Sequence, residues 1–157
     1  MPLQKTFCLW LLNSRPRPTG GGAKITSVNQ KRQLAAIAIG GAAGAVLRIA
    51  CVEAWPTGSG IPWSTLAVNL AGALVLGFAA ELTLADNPSS AWRLPLVGTG
   101  FCGAFTTFSG ICFETLDLID RASMGTALLY LAASVILGLG AARLGVAIAD
   151  TRMRSRA

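Results

Sequence analysis

Apolar residues dominate four stretches of the chain, and short segments containing polar residues, glycine or proline separate them. The stretches cover residues 34–52, 63–80, 94–113 and 122–149. Each is close to or longer than the roughly 20 apolar residues that an α-helix needs to cross a bilayer. The pattern therefore predicts an all-α membrane protein with four transmembrane helices.

Composition favours a membrane protein over a soluble one. Hydrophobic residues make up 53% of the 157-residue chain and charged residues only 13%, whereas soluble domains average about 25% charged residues. Most of the 13 lysines and arginines lie towards the two ends, as expected for charges that flank a membrane. No aromatic RNA-binding motif accompanies them, so the net charge of +6 does not indicate nucleic acid as a partner. The chain has no histidine. The sequence also shows no pairing of a nucleophile with a base that would indicate an enzyme.

The third apolar stretch differs from an ordinary membrane anchor in its middle. Residues 98–110 contain four glycines and four hydroxyl side chains. Glycine lowers helix stability, and Ser and Thr hydroxyls can bond backbone carbonyls in competition with the helix. We therefore expect the third helix to break at mid-membrane, where non-helical backbone must be buried or line a cavity. The alternative is a helix whose small residues only allow close packing.

Three motifs follow one another along the chain: GGAAGAVLR at residues 40–48, TLAVNLAG at 65–72 and GFCGAFTTFS at 100–109. Each resembles a helix signature of the CrcB/Fluc fluoride-channel family, although Ser64 stands where the family has a glycine. The resemblance extends over residues 34–149 and implies a fluoride-selective channel that exports F⁻ passively and relieves fluoride toxicity. It also implies a multi-pass protein of the bacterial plasma (inner) membrane.

The resemblance implies which residues face the ion path. They are side chains on the second, third and fourth helices, namely Asn69, Thr107, Phe108, Ser109, Ile111, Tyr130 and Ser134. The Asn69 amide offers two uncharged donors and the edge of the Phe108 ring is weakly positive, so both suit a small anion. Ile111 replaces the family's second phenylalanine, and we expect an apolar lining with altered conduction there. Arg48 is expected either to line a vestibule that attracts anions or to snorkel to the membrane surface.

A structural Na⁺ at the centre of an antiparallel dimer is also implied by the resemblance. Its expected ligands are the carbonyls of Gly103 and Thr106, released where the third helix breaks. Such a dimer needs two chains inserted in opposite orientations. However, 11 of the 13 basic residues lie on the side that holds both termini, and the exceptions are Arg48 and Arg121. This distribution favours a single orientation. The partner is therefore either a second copy of this chain or a related subunit with the opposite charge bias.

The sequence predicts three segments: a disordered basic extension at 1–32, a four-helix channel at 33–150 and a basic tail at 151–157. Two other functions remain open. A small four-helix drug/proton antiporter is also an antiparallel dimer, but it needs a carboxylate inside the membrane. None of the seven acidic residues lies in the middle of a predicted helix. A non-transporting membrane scaffold would explain the small residues, but not a polar residue in each of several helices.

Overall fold

Helices form almost all of the chain that the computed structural model describes, which is residues 27–55, 60–85 and 92–155. In chain order they are α1 (Ser27–Ala54), α2 (Trp63–Ala85), a π-helix π1 (Leu94–Cys102), a single turn α3 (Gly103–Phe105), α4 (Phe108–Arg121) and α5 (Met124–Arg154). Four spans are long and apolar enough to cross a membrane, namely Gln30–Ala54, Trp63–Thr83, Leu94–Arg121 and Met124–Arg154. The predicted four-helix architecture with an interrupted third span is confirmed.

All four spans extend further than the apolar stretches predicted, and two of them enter segments that we assigned to the chain ends. α1 begins at Ser27, so residues 27–32 of the extension that we expected to be disordered are helical. Residues 1–26 lie outside the described part of the chain. α5 continues to Arg154, so most of the expected polar tail is helical as well. A helix satisfies its own backbone hydrogen bonds and can continue beyond the bilayer, so hydrophobicity marks the membrane boundary rather than the end of the helix.

Glycines allow close contact between α1 and the first half of the third span. A Cβ at Gly40 would overlap the carbonyl of Leu96, and one at Gly44 would overlap the carbonyl of Phe101. A Cβ at Gly100 would likewise collide with the backbone of α1. Small residues at such contacts are the usual means by which membrane helices associate, so the glycines of the first motif serve packing.

Glycines also bring α2 and α5 together, in the most extensive helix pair of the fold. A Cβ at Gly77 would overlap the carbonyl of Ala142, and one at Gly145 would overlap the carbonyl of Leu74. Towards the start of both helices, α4 joins them around a buried cluster of Leu66, Ile111, Leu118, Ala127 and Tyr130. Side chains of α2, α4 and α5 therefore meet beside the break in the third span.

Candidate functional site

The third span breaks at Thr106 and Thr107, which connect α3 to α4. Thr106 has φ −82° and ψ 158°, and Thr107 has φ −145° and ψ 110°, so both are extended. The Thr107 hydroxyl accepts the backbone N–H of Gly110 at 3.0 Å and so caps the first turn of α4. The Thr106 hydroxyl donates to the carbonyl of Cys102 at 2.9 Å. Two threonines that bond to nearby backbone groups thus form the interruption.

Gly103 precedes the break and is not part of it. Its backbone is helical, with φ −62° and ψ −31°. A Cβ at this position would come no closer than 4.0 Å to its nearest described neighbour, the carbonyl oxygen of Gly98. The break that we expected is present, but competition for hydrogen bonds by threonine side chains accounts for its position better than the flexibility of glycine does.

Asn69, in α2, bonds to the backbone of Thr107 in both directions. Its Oδ1 accepts the Thr107 N–H at 2.7 Å, and its Nδ2 donates to the Thr107 carbonyl at 3.3 Å. The sequence indicated an amide whose two donors serve an anion. The structure uses one of those donors, together with the amide oxygen, to bind the extended backbone at the break.

Glu114 belongs to the site, although the sequence analysis missed it. It lies in the middle of α4, and its carboxylate accepts hydrogen bonds from the hydroxyls of Thr65 and Tyr130, each at 2.6 Å. Hydrogen bonds to a charged acceptor are stronger than those between neutral groups. The expectation that no carboxylate lies inside a helix was wrong, because residue 114 was assigned to the end of the span. Helical spacing could have found it, since Glu114 is three positions after Ile111 and shares its side of α4.

Tyr130 and Ser134 lie on one buried face of α5, with 2% and 7% of their surface exposed. The Ser134 hydroxyl donates to the carbonyl of Tyr130 at 2.8 Å. In the described residues, every fully buried side-chain nitrogen or oxygen has a hydrogen-bond partner, as the interior of a membrane protein requires. An anion that uses the hydroxyl of Tyr130 or Ser134 must therefore replace a bond that this hydroxyl already donates.

Phe108 and Ile111 lie in contrasting environments within the first turn of α4. Phe108 is 73% exposed, whereas Ile111 is 8% exposed and packs in the buried cluster with Leu66 and Tyr130. The structure therefore brings Ile111 next to the polar side chains of α5. Phe108 lies on the outer surface of the subunit, where lipid or another subunit can contact it.

Arg48 lines an open groove of about 710 Å³ between α1, α2 and α4. Thr107 and Ser109, on either side of the first residue of α4, line the same groove, and their hydroxyls are 3.3 Å apart. The structure thus brings the expected vestibule arginine next to two of the expected path residues. A second pocket, of about 180 Å³, lies next to Glu114 and has the ion pair of Asp117 and Arg121 on its wall.

Comparison with known proteins assigns the chain to a family. Residues 35–146 match the sequence profile described as "CrcB-like protein, Camphor Resistance (CrcB)". The chain belongs to this family. The match reaches all four spans, and it confirms the resemblance that the three motifs indicated.

Curated CrcB relatives match over most of their length. "Fluoride-specific ion channel FluC 1" of Mycobacterium bovis is 41% identical over 118 residues, which are 74% of this chain and 89% of that protein. "Fluoride-specific ion channel FluC" of Methanopyrus kandleri is 41% identical over 126 residues, or 80% and 95% of the two chains. The protein of that name from Gluconobacter oxydans is 44% identical over 118 residues, or 73% and 82%. These names describe ion channels and not enzymes, and with the four apolar spans the CrcB chain is a multi-pass integral membrane protein.

Proposed function

We propose that this CrcB chain is a subunit of a fluoride-selective channel that lets F⁻ leave the cell passively and so relieves fluoride toxicity. The bacterial plasma membrane is the proposed location. The proposal rests on one observation. A set of polar side chains lies between α2, α4 and α5, from the break to Glu114, in an otherwise apolar bundle. Relatives named as fluoride-specific channels, at 41–44% identity, identify the ion.

Fluoride is small and strongly hydrated, so a path must replace its water with donors that do not trap it. Arg48 would draw the anion into the groove, where the hydroxyls of Thr107 and Ser109 are close by. The remaining N–H of Asn69 and the ring edge of Phe108 are weak, uncharged partners that suit passage rather than tight binding. Tyr130 and Ser134 would continue the path along α5.

The Glu114 carboxylate competes with the anion for hydrogen-bond donors along this path. Its carboxylate accepts the hydroxyls of Thr65 and Tyr130, which are the groups that an anion would need. We infer that F⁻ can use these hydroxyls only when the carboxylate releases them. Transport through this part is then an exchange of one acceptor for another.

A structural Na⁺ fits the carbonyls of Gly103 and Thr106. In a continuous helix these carbonyls would accept the N–H groups of Thr107 and Gly110, four residues further on. In the described chain, both N–H groups bond to side chains instead. Carbonyl oxygens released from a helix are ligands that hard cations prefer. When bound, the ion would stabilise the break and supply positive charge close to an anion path.

We further propose that two subunits assemble in antiparallel orientation around this break. One chain leaves the groove beside Arg48 open and Phe108 73% exposed. A second subunit that covers α4 would close the groove and place the Phe108 ring beside the path. A second copy of this chain and a related subunit with the opposite charge bias both satisfy this arrangement.

Glu114 also bears on the antiporter alternative, because it places a carboxylate within the third span. A proton-coupled transporter needs such a group, whereas the relatives' names describe channels. A membrane scaffold needs no polar path at all. The three functions differ in what crosses the membrane: an anion, a drug exchanged for protons, or no solute.

Fluoride efflux from liposomes loaded with KF tests the proposal. A passive channel should release F⁻ only after valinomycin is added, because K⁺ must leave with the anion to prevent build-up of a membrane potential. Liposomes loaded with KCl should release little chloride. Transport of a cationic dye driven by a pH gradient, without release of F⁻, would favour the drug/proton antiporter. Absence of both activities in a well-folded preparation would favour the scaffold.

A further inference from the structure

The two carbonyls that fit Na⁺ share an unusual property. Each would normally accept an N–H from the next helical turn, and in each case a side chain takes that N–H. Oδ1 of Asn69 accepts the Thr107 N–H at 2.7 Å, which leaves the Gly103 carbonyl without its helical donor. Oγ1 of Thr107 accepts the Gly110 N–H at 3.0 Å, which leaves the Thr106 carbonyl without its donor.

We propose that Asn69 and Thr107 are positioning residues that create the cation site by diverting these two N–H groups away from the carbonyls of Gly103 and Thr106. The inference rests on the proposed channel function and on its structural Na⁺. Asn69 then positions the cation ligands in addition to any contact with the anion. The Thr107 hydroxyl likewise helps to expose a carbonyl for the cation.

The physical reason is that a backbone N–H needs an acceptor, and beside the groove that Thr107 and Gly110 line a side-chain acceptor replaces both water and the helical carbonyl. If Asn69 loses its amide, the nearest acceptor in the helical pattern for the Thr107 N–H is the Gly103 carbonyl. If Thr107 loses its hydroxyl, its extended backbone is no longer stabilised by the bond to the Gly110 N–H, and a return to helical φ and ψ would give that N–H to the Thr106 carbonyl. Each change therefore consumes one of the two oxygens on which the cation depends.

The experiment measures the Tm of the purified protein in NaCl and in N-methylglucamine chloride at equal ionic strength. A ligand that binds only the folded state raises the Tm, so the difference between the two buffers reports Na⁺ binding. Asn69→Leu and Thr107→Val should each remove at least half of this difference, whereas Thr107→Ser keeps the hydroxyl and should retain it. Thr115→Val is the matched control, because it removes a Thr hydroxyl bonded to the carbonyl of Ile111 at 2.7 Å in the same helix.

A second measurement removes the diverted donor itself. Replacement of Thr107 by its α-hydroxy analogue turns the Thr106–Thr107 amide into an ester, which deletes the N–H and retains the Thr107 side chain but also weakens the Thr106 carbonyl as a ligand. The ester in the otherwise wild-type protein is therefore the reference. Relative to it, Asn69→Leu should no longer reduce the Na⁺-dependent Tm difference, because no N–H is left to return to Gly103. If Asn69→Leu does not fold, the comparison of Thr107→Val with Thr107→Ser carries the test.

Three results would overturn the inference, two from the variants and one from the wild-type protein. One is an unchanged Na⁺-dependent difference in Asn69→Leu and Thr107→Val, and the other is the same loss in Thr115→Val, which would indicate general destabilisation. A wild-type protein that conducts F⁻ but shows no Na⁺ response would also reject it, while leaving the proposed function intact. A wild-type protein that conducts no F⁻ would reject the proposed function instead.

Discussion

The contrast between Phe108 and Ile111 gives the sharpest test of where the ion path lies. Phe108→Ile removes a ring with a positive edge from a position that is 73% exposed. Ile111→Val removes one methyl group from a position that is 8% exposed in the buried cluster. The first change should act on conduction and the second on stability, because only Phe108 has a polarised edge and only Ile111 is packed within the subunit.

The environments of the two residues set the expected magnitudes. Loss of a ring-edge contact is worth about 0.5–1.5 kcal/mol, which corresponds to a reduction in fluoride flux of about 2- to 10-fold. The same change at an exposed position should alter the free energy of unfolding by less than about 0.5 kcal/mol. Ile111→Val should lower the free energy of unfolding by about 0.5–1.5 kcal/mol and leave the flux nearly unchanged.

Liposome efflux and thermal unfolding in detergent, on the same preparations, provide the two measurements. Leu116→Ala is the control, because it shortens another apolar side chain of α4 that is 64% exposed. It should leave the flux unchanged, and any loss of stability reports contact with the second subunit that we propose to cover α4. Equal loss of flux in Phe108→Ile and Ile111→Val, with no loss of stability in the latter, would show that the path follows the buried side of α4 and that the proposed role of Phe108 is wrong.

Two further predictions concern charge and packing. Glu114→Gln should increase the initial fluoride efflux, because its single amide oxygen can accept only one of the hydroxyls of Thr65 and Tyr130, which donate to different carboxylate oxygens, and its NH2 group is a donor. One bond worth about 1.5–3 kcal/mol should fall to about 0.5–1.5 kcal/mol and the other should be lost, which lowers the Tm. Unchanged or slower efflux in a folded Glu114→Gln protein would contradict the exchange of acceptors. Gly77→Ala should reduce the yield of folded protein, because its Cβ would overlap the Ala142 carbonyl. Gly140→Ala is the matched control, because its Cβ has no described atom within 4 Å, and it should gain up to about 1 kcal/mol of helix stability. Equal yields of folded Gly77→Ala and Gly140→Ala protein would refute the close contact of α2 and α5.

The apolar pattern alone determined the number and order of the membrane spans. A bilayer interior accepts only helices with apolar surfaces or closed barrels, so four apolar stretches sufficed to predict four helical spans. The hydroxyl-rich stretch at 98–110 indicated either an interruption in the third span or a helix with a closely packed face, and the three motifs predicted the family. The Na⁺ and the antiparallel dimer had no such basis in the pattern and remain proposals.

The tertiary structure alone decided which polar groups meet. Asn69 and Thr107 are 38 residues apart in sequence, and Thr65 and Glu114 are 49 apart. Hydrogen bonds over such distances depend on how helices pack. The spacing of Gly40 and Gly44 indicates that α1 can approach another helix closely, but it does not say which helix that is. The same packing buries Ile111 and exposes Phe108, three positions away. The sequence could therefore nominate polar residues for the path, but only the fold shows that Glu114 already holds two of the donors and that Asn69 binds the backbone at the break.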